Sequence, residues 1–122
     1  MTKTSIANTD KNLRSDCPIA CALDIVGDRW SLLIVRDIFK KKSRFKDFLE
    51  SEENYPSNIL TDRLKRLEIE GIITREPYSE RPPRFAYSLT SKGLELGNVI
   101  EAMYHWGNKN IFGKAAENDN RN

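Results

Sequence analysis

The stretch NILTDRLKRLEIEG, residues 58–71, has the leucine spacing of a helix with one buried face. Leu60, Leu64 and Leu67 recur at i, i+4 and i+7, which places them on the same side of a helix. Gly71 is suited to end that helix. The opposite side and its flanks are polar and carry Asn58, Thr61, Asp62, Lys65 and Arg66. One face therefore predicts a core contact, and the other face predicts a partner or plain solvent.

The composition is that of one small globular domain. The chain has 122 residues, of which 39% are hydrophobic and 31% are charged, and its formal net charge is +2. This overall charge does not by itself indicate nucleic acid, so any such function must rest on local placement. Cys17 and Cys21 lie too close in sequence to staple a fold, which excludes a disulfide scaffold.

The two ends of the chain are polar, and no part of it resembles a membrane span. No stretch approaches the roughly 20 apolar residues of a spanning helix, and the first dozen residues lack the apolar core of a signal peptide. We therefore expect a cytoplasmic protein that does not contact membranes. We also expect a flexible arm over residues 1–14, one domain over 15–112 and a flexible tail over 113–122.

Four helices are predicted before residue 72. Pro18 suits the first helical position, which makes Cys17 the N-cap of a helix that ends at Gly27. Asp28 is expected to cap a second helix, and Ser43 and Ser57 to open the third and fourth. The predicted buried positions of the second and third helices are Trp30, Leu33, Ile34, Ile38, Phe45, Phe48 and Leu49.

After residue 71 the period changes from helix to strand. IITREPY (72–78) and RFAYSL (84–89) predict two short strands, joined by an exposed loop, SERPP (79–83), whose prolines disfavour strand pairing. Thr90 then caps one last long helix over 91–110. The fold class is mainly α with a small β-hairpin (α+β), and the order of elements predicts a winged helix-turn-helix.

Three features together favour DNA as the partner of the polar helix face. Asn, Thr, Lys and Arg are the side chains that read base edges in the major groove, although any surface helix has a polar face. A basic cluster, KKKSRFK (40–46), falls at the corner between the second and third helices, which lies near phosphates in a helix-turn-helix. Arg81 and Arg84 flank the prolines of the predicted wing. From residue 40 to 92 there are 12 Lys and Arg against 9 Asp and Glu, so we expect moderate salt dependence.

Residues 17–107 resemble the HxlR-type family of bacterial winged-helix transcriptional regulators. The similar pieces are CP…ALDIVGDRW, RFKDFLE, NILTDRLKRLEIEGII, PYSERPPRFAYSLTSKG and a late WG, which occur in the family's order. The resemblance implies a homodimer, joined through its terminal helices, that binds double-stranded DNA at a pseudo-palindromic operator in the bacterial nucleoid. The DNA-contacting candidates are Ser57, Asn58, Thr61, Lys65 and Arg66 on the reading helix, Lys41, Lys42 and Arg44 at the corner, and Arg81 and Arg84 on the wing.

The chain also departs from the family pattern. Gly27, Asp28 and Arg29 stand where the family usually has two glycines and a lysine before the tryptophan, and Ser43 replaces a common glycine. Ala86 replaces a usual acidic residue before the wing tyrosine, which puts a hydrogen bond at the wing root in doubt. None of these positions belongs to the proposed reading helix.

Neither enzymatic nor metal chemistry is indicated. The single histidine, His105, lies beside Trp106 on the last helix, and no phosphate-binding loop, nucleophile elbow or dinucleotide fingerprint occurs. Two cysteines and one distant histidine do not match a zinc site. We expect a protein that is not an enzyme and that carries no cofactor and no metal.

Cys17 is the one residue with a reactive interpretation. A sulfur at a helix N-terminus faces unpaired backbone N–H groups and the positive end of the helix dipole, which favours the thiolate. From the residues alone, a purely structural cap without special reactivity is the favoured interpretation. The family resemblance adds that many members sense oxidants or electrophiles through a cysteine at the matching position. Cys21, one turn further, is expected to pack.

The last helix predicts the dimer interface, and two alternative functions remain. Its apolar positions exceed what one small core absorbs, and the interface candidates are Leu96, Ile100, Met103 and Trp106. One alternative is a winged-helix module that binds protein, but the reading face has only Ile59 at its edge as an apolar anchor. The other is a DNA-binding regulator controlled by a small-molecule effector, for which the sequence offers no pocket.

Overall fold

The computed structural model describes residues 13–114 and contains six helices and one antiparallel hairpin in that range. The predicted arm and tail lie almost entirely outside the described residues. The elements are α1 (Pro18–Val26), α2 (Ser31–Phe39), α3 (Phe45–Leu49), α4 (Ser57–Ile69), β1 (Ile73–Glu80), β2 (Pro83–Leu89), α5 (Ser91–Leu94) and α6 (Leu96–Asn110). This is the predicted mainly helical fold with a wing.

Helix α1 has the predicted boundaries, whereas α2 has Trp30 and not Asp28 as its N-cap. Cys17 is the N-cap of α1, Pro18 is its first residue and Gly27 its C-cap. The Asp28 side chain still satisfies donors at the start of α2, since Oδ2 accepts hydrogen bonds from the backbone N–H groups of Trp30 and Ser31 at 3.0 and 3.1 Å. The helix itself begins at Ser31, so the carboxylate reaches over one turn.

The third and fourth helices differ in detail from the sequence prediction. Helix α3 begins at Phe45 rather than after Ser43, because the Asp47 carboxylate reaches back to the N–H groups of Ser43 and Arg44 at 3.2 and 3.0 Å. Leu49, predicted to be buried, is 40% exposed because it ends this five-residue helix. Ser57 is the first residue of α4 and not its cap.

The leucines of α4 form the centre of the core, as predicted. Leu60, Leu64 and Leu67 are at most 2% exposed, and they pack with residues that include Ile34, Val35 and Phe48. Gly71 ends the helix with φ +77°, in the left-handed region that favours glycine. Its N–H donates to Glu68 O and that of Ile72 to Leu67 O, which is a Schellman motif.

The hairpin is longer than predicted, and the loop prediction for 79–83 was wrong. Ser79 pairs with Arg84 and Glu80 with Pro83, so only Arg81 and Pro82 form the tip. Proline is tolerated here because both strands of a two-stranded sheet are edge strands with one unpaired side. The register shifts between Pro77 and Ser79, which leaves Tyr78 at a β-bulge.

A backbone contact fixes the wing to the helix-turn-helix. The N–H of Tyr87 donates to Ser43 O at 2.8 Å, and Arg44 forms an isolated bridge with Ala86. Main-chain groups thus hold the wing root at the position where the sequence lacks the family's usual acidic side chain.

The single long C-terminal helix of the prediction is broken at Glu95 into α5 and α6. Thr90 caps α5 as predicted, since its Oγ1 accepts from the N–H of Gly93 at 3.0 Å and donates to Gly71 O at 2.6 Å. A Cβ on Gly93 would lie 2.2 Å from the carbonyl oxygen of Ile72, so only glycine allows this approach. The short helix α5 therefore packs closely against the backbone at the start of the wing, and α6 begins after it.

A buried polar cluster joins α2 to the turn before α4. Asp37 is buried, with 1% of the residue exposed; its Oδ2 accepts the Tyr55 hydroxyl at 2.7 Å, and its Oδ1 accepts Arg36 Nη2 at 2.8 Å. Burial and the bond to Asp37 raise the pKa of Tyr55.

No helix within residues 13–114 is long and apolar enough to cross a membrane.

Candidate nucleic-acid interface

Helix α4 presents a polar outer face because its leucines occupy the inner one. Ser57, Asn58, Thr61 and Lys65 are all exposed. The Thr61 hydroxyl donates to Ser57 O at 2.9 Å, within the first turn. Ile69, at the C-terminal end, is 74% exposed, whereas Ile59 is half-buried, so the one exposed apolar residue is not the one expected from the sequence.

Two arginines on the side of α4 tie this helix to the N-terminal part of the domain. Arg63 Nε donates to Asp28 Oδ2 at 2.9 Å, and its Nη1 donates to Asp62. Arg66, a predicted DNA contact, donates to the backbone carbonyl of Asp24 in α1. The sequence did not indicate either contact with α1 or its loop. The arginines fix the orientation of α4 relative to α1 and α2.

Asp28 lies at the centre of this attachment. Burial opposes its ionisation, but hydrogen bonds from the Ser31 hydroxyl, from Arg63 and from the N–H groups of Trp30 and Ser31 outweigh burial and lower its pKa to about 2. The same carboxylate thus accepts hydrogen bonds both from the start of α2 and from α4. Its side chain is only 20% exposed, so the contact is weakly screened by solvent.

The basic cluster forms the corner between α2 and α3. Lys41 is exposed and adopts φ +77°, while Lys42 is half-buried and its N–H donates to Asp37 O at 3.0 Å. The Arg44 guanidinium carbon lies 4.2 Å from the ring centroid of Tyr78 on the wing. The corner and the wing are therefore in contact.

The two wing arginines occupy different places. Arg81 lies at the tip of the hairpin, whereas Arg84 lines a groove between α3, α4 and the hairpin, together with Thr61 and Lys46. Both arginines are exposed. The structure thus brings Thr61 and Arg84 together with Lys46, a member of the basic cluster of residues 40–46.

The terminal helices carry the exposed apolar surface. None of the 15 residues of α6 is buried; Met103 is 58% and Trp106 63% exposed. Leu96 and Ile100, also predicted for the dimer interface, are half-buried and pack against the core of their own chain. On α1, Ile19 and Leu23 are exposed as well.

Both cysteines are unpaired thiols near the start of α1. Cys17 is exposed, its side chain makes no capping hydrogen bond, and its N–H donates to Ser15 Oγ at 3.0 Å. Cys21 is half-buried and its Sγ donates to Ser15 O at 3.1 Å. Arg14, which could have supported the Cys17 thiolate, donates through Nε to the Asp24 carboxylate at 3.0 Å.

Metal-binding geometry is absent from the described range. Residues 13–114 contain no group of three His, Cys, Asp or Glu side chains placed to hold an ion. His105 Nε2 lies 3.7 Å from Glu101 Oε2, one turn away on α6.

Two helices joined by a turn, with a hairpin fixed beside the second, define a winged helix-turn-helix protein. The HxlR-like helix-turn-helix family model matches residues 25–114, and the chain belongs to this family. It is a DNA-binding transcriptional regulator of the helix-turn-helix type, a class whose members are not enzymes. Cys17 lies outside the matched range.

Similar proteins include both sequence relatives and solved structures. A helix-turn-helix transcriptional regulator of Synechocystis is 41% identical over 91 residues, which cover 75% of this chain and 67% of the relative. The redox regulator HypR in its reduced form is 31% identical with a TM-score of 0.70, covering 80% of this chain and 98% of HypR. Reduced YodB from Bacillus subtilis is 31% identical with a TM-score of 0.67, covering 81% and 98%.

Asp28→Asn is expected to lower the free energy of unfolding by about 2 kcal/mol at pH 7, since the pKa of Asp28 falls from 3.8 to about 2 on folding. Because the folded-state pKa is the lower one, this contribution is fully present above pH 3.8 and is lost as the pH falls towards 2. Urea unfolding of both proteins from pH 7 to pH 2 measures the difference. The control, Asp62→Asn, removes an exposed carboxylate that contacts the same Arg63 and should change stability little. Equal costs for the two variants would contradict the assignment.

Proposed function

We propose that the chain acts as a homodimer that binds a pseudo-palindromic operator in double-stranded DNA and reads it with α4. The carrying observation is that α4 buries Leu60, Leu64 and Leu67 while it exposes Asn58 and Lys65 on the opposite face. Such a helix fits the major groove, where Asn pairs with adenine and Lys with guanine.

The side chains of α4 divide into two roles. Ser57, Asn58, Thr61 and Lys65 face outward and are the base-contacting or phosphate-contacting candidates. Arg66 has its guanidinium on the Asp24 carbonyl, so in our proposal it positions α4 instead of reading a base. Arg63 positions the same helix through Asp28.

The corner and the wing supply the phosphate contacts. The corner before α3 contributes Lys41, Lys42 and Arg44, and it contacts the wing through the bridge between Arg44 and Ala86. The hairpin contributes Arg81 and Arg84. Contacts of this kind fix the protein on the duplex without reading its sequence. They also make affinity depend on salt, because each neutralised phosphate releases counterions.

Dimerisation is supported by the apolar surface of the terminal helices. Ile19 and Leu23 on α1 and Met103 and Trp106 on α6 are all more than half exposed. Large apolar side chains exposed in this way on the terminal helices are typical of an interface. Two-fold pairing would place the two α4 helices in successive major grooves, roughly 34–36 Å apart.

The alternative of a protein-binding wing module has one observation in its favour. Ile69 is 74% exposed on α4 and could serve as an apolar anchor. The rest of the outer face is polar, whereas protein interfaces rely on clusters of aromatic and apolar residues. Operator binding therefore accounts for more of the face than a protein partner does.

Variants on α4 and at the corner should affect DNA binding differently. Asn58→Ala or Lys65→Ala is expected to weaken operator binding by about 1–3 kcal/mol and to relax base preference, as for loss of a bidentate base contact. Lys41→Ala is the matched control and should weaken operator and unrelated DNA alike, with a salt slope smaller by about one. Titrations against both DNAs at several salt concentrations measure this. If the double variant of Asn58 and Lys65 keeps the affinity and base preference of the wild type, α4 is not the reader.

Met103→Glu is expected to convert the dimer to a monomer, since it places a charge in the proposed apolar interface. Light scattering at micromolar concentration measures the mass. The matched control is Ile69→Glu, which introduces the same charge at an even more exposed apolar position on α4 and should leave the dimer intact. A monomeric wild type would refute the dimer outright.

We further propose that the Cys17 thiol senses oxidants or electrophiles. Its support is the exposed position at the N-cap of α1 and the likeness to HypR, a redox regulator. An intersubunit disulfide through Cys17 would transfer two protons and two electrons to the oxidant and would shift one α1 against the other. Because α1 also accepts the Arg66 contact, such a shift would move the two reading helices out of register with the half-sites.

Diamide is expected to lower operator affinity of the wild type and of Cys21→Ser but not of Cys17→Ser. Diamide accepts the two protons and two electrons that disulfide formation releases. The readout is DNA titration before and after treatment, with a thiol reductant to restore binding. Non-reducing electrophoresis tests for the intersubunit bond. If all three proteins respond equally, Cys17 is only a structural cap.

A further inference from the structure

The groove between α3, α4 and the hairpin has the dimensions of a small-molecule site. Its volume is about 520 Å³, within the range of about 300–1,000 Å³ that ligand pockets occupy. Thr61 and Leu64 of α4 form one side of it. Aromatic rings form much of the remainder and come from α3 and the hairpin: Phe45, Tyr78, Phe85 and Tyr87. The groove therefore lies against the helix that we propose to read DNA.

Two of these rings are held in place from outside the groove. The guanidinium of Arg44 lies 4.2 Å from the ring centroid of Tyr78, and that of Arg75 lies 4.0 Å from that of Phe85. Neither arginine lines the groove. The β-bulge takes Tyr78 out of the strand register, and bulges commonly re-aim a side chain. Rings fixed before a ligand arrives reduce the entropy cost of binding.

The charged residues of the groove are all cationic. Lys46 and Arg84 line it, and no Asp or Glu does. Neither cation is ion-paired with any residue in the described part of the chain. The Tyr87 phenol is protonated at neutral pH, as tyrosine ordinarily is, and can donate a hydrogen bond; burial raises its pKa further. Aromatic walls combined with unpaired cations complement a ligand that is both flat and negatively charged.

We propose that this groove binds a small planar aromatic carboxylate, whose ring packs among the aromatic side chains and whose carboxylate lies between Lys46 and Arg84. The site itself stands on the groove alone. Its consequence rests on the proposed function: a ligand beside Thr61 blocks the approach of the duplex, so ligand and operator exclude each other. The bound molecule would thus release the regulator from DNA.

A DNA phosphate would use the same cations but fits the lining less well. Ring faces offer a phosphate little hydrogen bonding, and the Thr61 hydroxyl already donates to Ser57 O. A single phosphate would also leave most of the volume unfilled. The aromatic carboxylate uses both the rings and the charges.

Calorimetry of the full chain without DNA tests the site, with benzoate as the probe at constant ionic strength. Cyclohexanecarboxylate has the same charge without planarity, benzamide has the ring without the charge, and inorganic phosphate has the charge alone. Benzoate is expected to bind most tightly of the four. Phosphate binding as tight as that of benzoate would make the groove a DNA-backbone site and overturn the proposal, as would the absence of benzoate binding at millimolar concentrations.

Two wing arginines provide a matched pair of variants. Arg84→Gln is expected to raise the dissociation constant of benzoate about tenfold, because a charge-assisted hydrogen bond is lost. Arg81→Gln makes the same change at the tip, outside the groove, and should leave benzoate affinity unchanged. Equal effects of the two substitutions would point to general electrostatic attraction and overturn the assignment.

Competition with DNA tests the consequence. Benzoate should weaken operator binding of the wild type more than sodium chloride does at the same ionic strength. If benzoate binds the protein but does not weaken operator binding in this way, ligand and operator do not exclude each other and that part of the proposal is overturned. The calorimetric result is independent of DNA. A failure of operator binding therefore counts against the proposed function alone, and a failure of benzoate binding counts against the groove alone.

Discussion

The orientation of α4 is the constraint on which the rest of the DNA-facing surface depends. Its three buried leucines hold it in the core, and each contributes about 1.5–3 kcal/mol by burial. The stripe of leucines sets which side of α4 faces the core, and so which side chains face outward. The Asp28–Arg63 contact at 2.9 Å and the bond from Arg66 to the Asp24 carbonyl attach the helix to α1 and α2 in that orientation.

Through these contacts, α1 connects the two cysteines at its start to the proposed reading helix, α4. Asp24 uses its carboxylate for Arg14 and its carbonyl for Arg66. Ser15, next to Arg14, accepts hydrogen bonds from the Cys17 N–H and the Cys21 thiol. A covalent change at the start of α1 is thus separated from α4 by one short helix and two hydrogen-bonded contacts. In our proposal, these contacts are sufficient to transmit a change at the Cys17 thiol to the DNA-binding helix.

The sequence predicted what depends on local chemistry and missed what depends on contacts distant in the chain. Leucine periodicity located α4, and capping residues located α1, α2 and α5, because these signals act within a turn. The prolines of 79–83 suggested a loop, but a two-stranded sheet accommodates them at its edges. The hydrogen bond from Arg66 of α4 to α1 and the aromatic groove beside Thr61 both arise from tertiary packing, for which no local sequence pattern exists.

The small net charge of the chain hides a more uneven distribution. Several of its carboxylates are occupied within the domain: Asp24 by Arg14, Asp28 by Arg63, Glu53 by Arg36 and Glu68 by Arg75. In each such pair the two opposite charges largely cancel, so that neither contributes much to the electrostatic potential outside the protein. Five exposed cations outside these pairs belong to the corner, the outer face of α4 or the wing: Lys41, Lys46, Lys65, Arg81 and Arg84. Others, such as Lys92 on α5 and Lys109 on α6, lie elsewhere. A net charge of +2 is therefore compatible with a locally positive surface, and that surface coincides with the face expected to approach the phosphates.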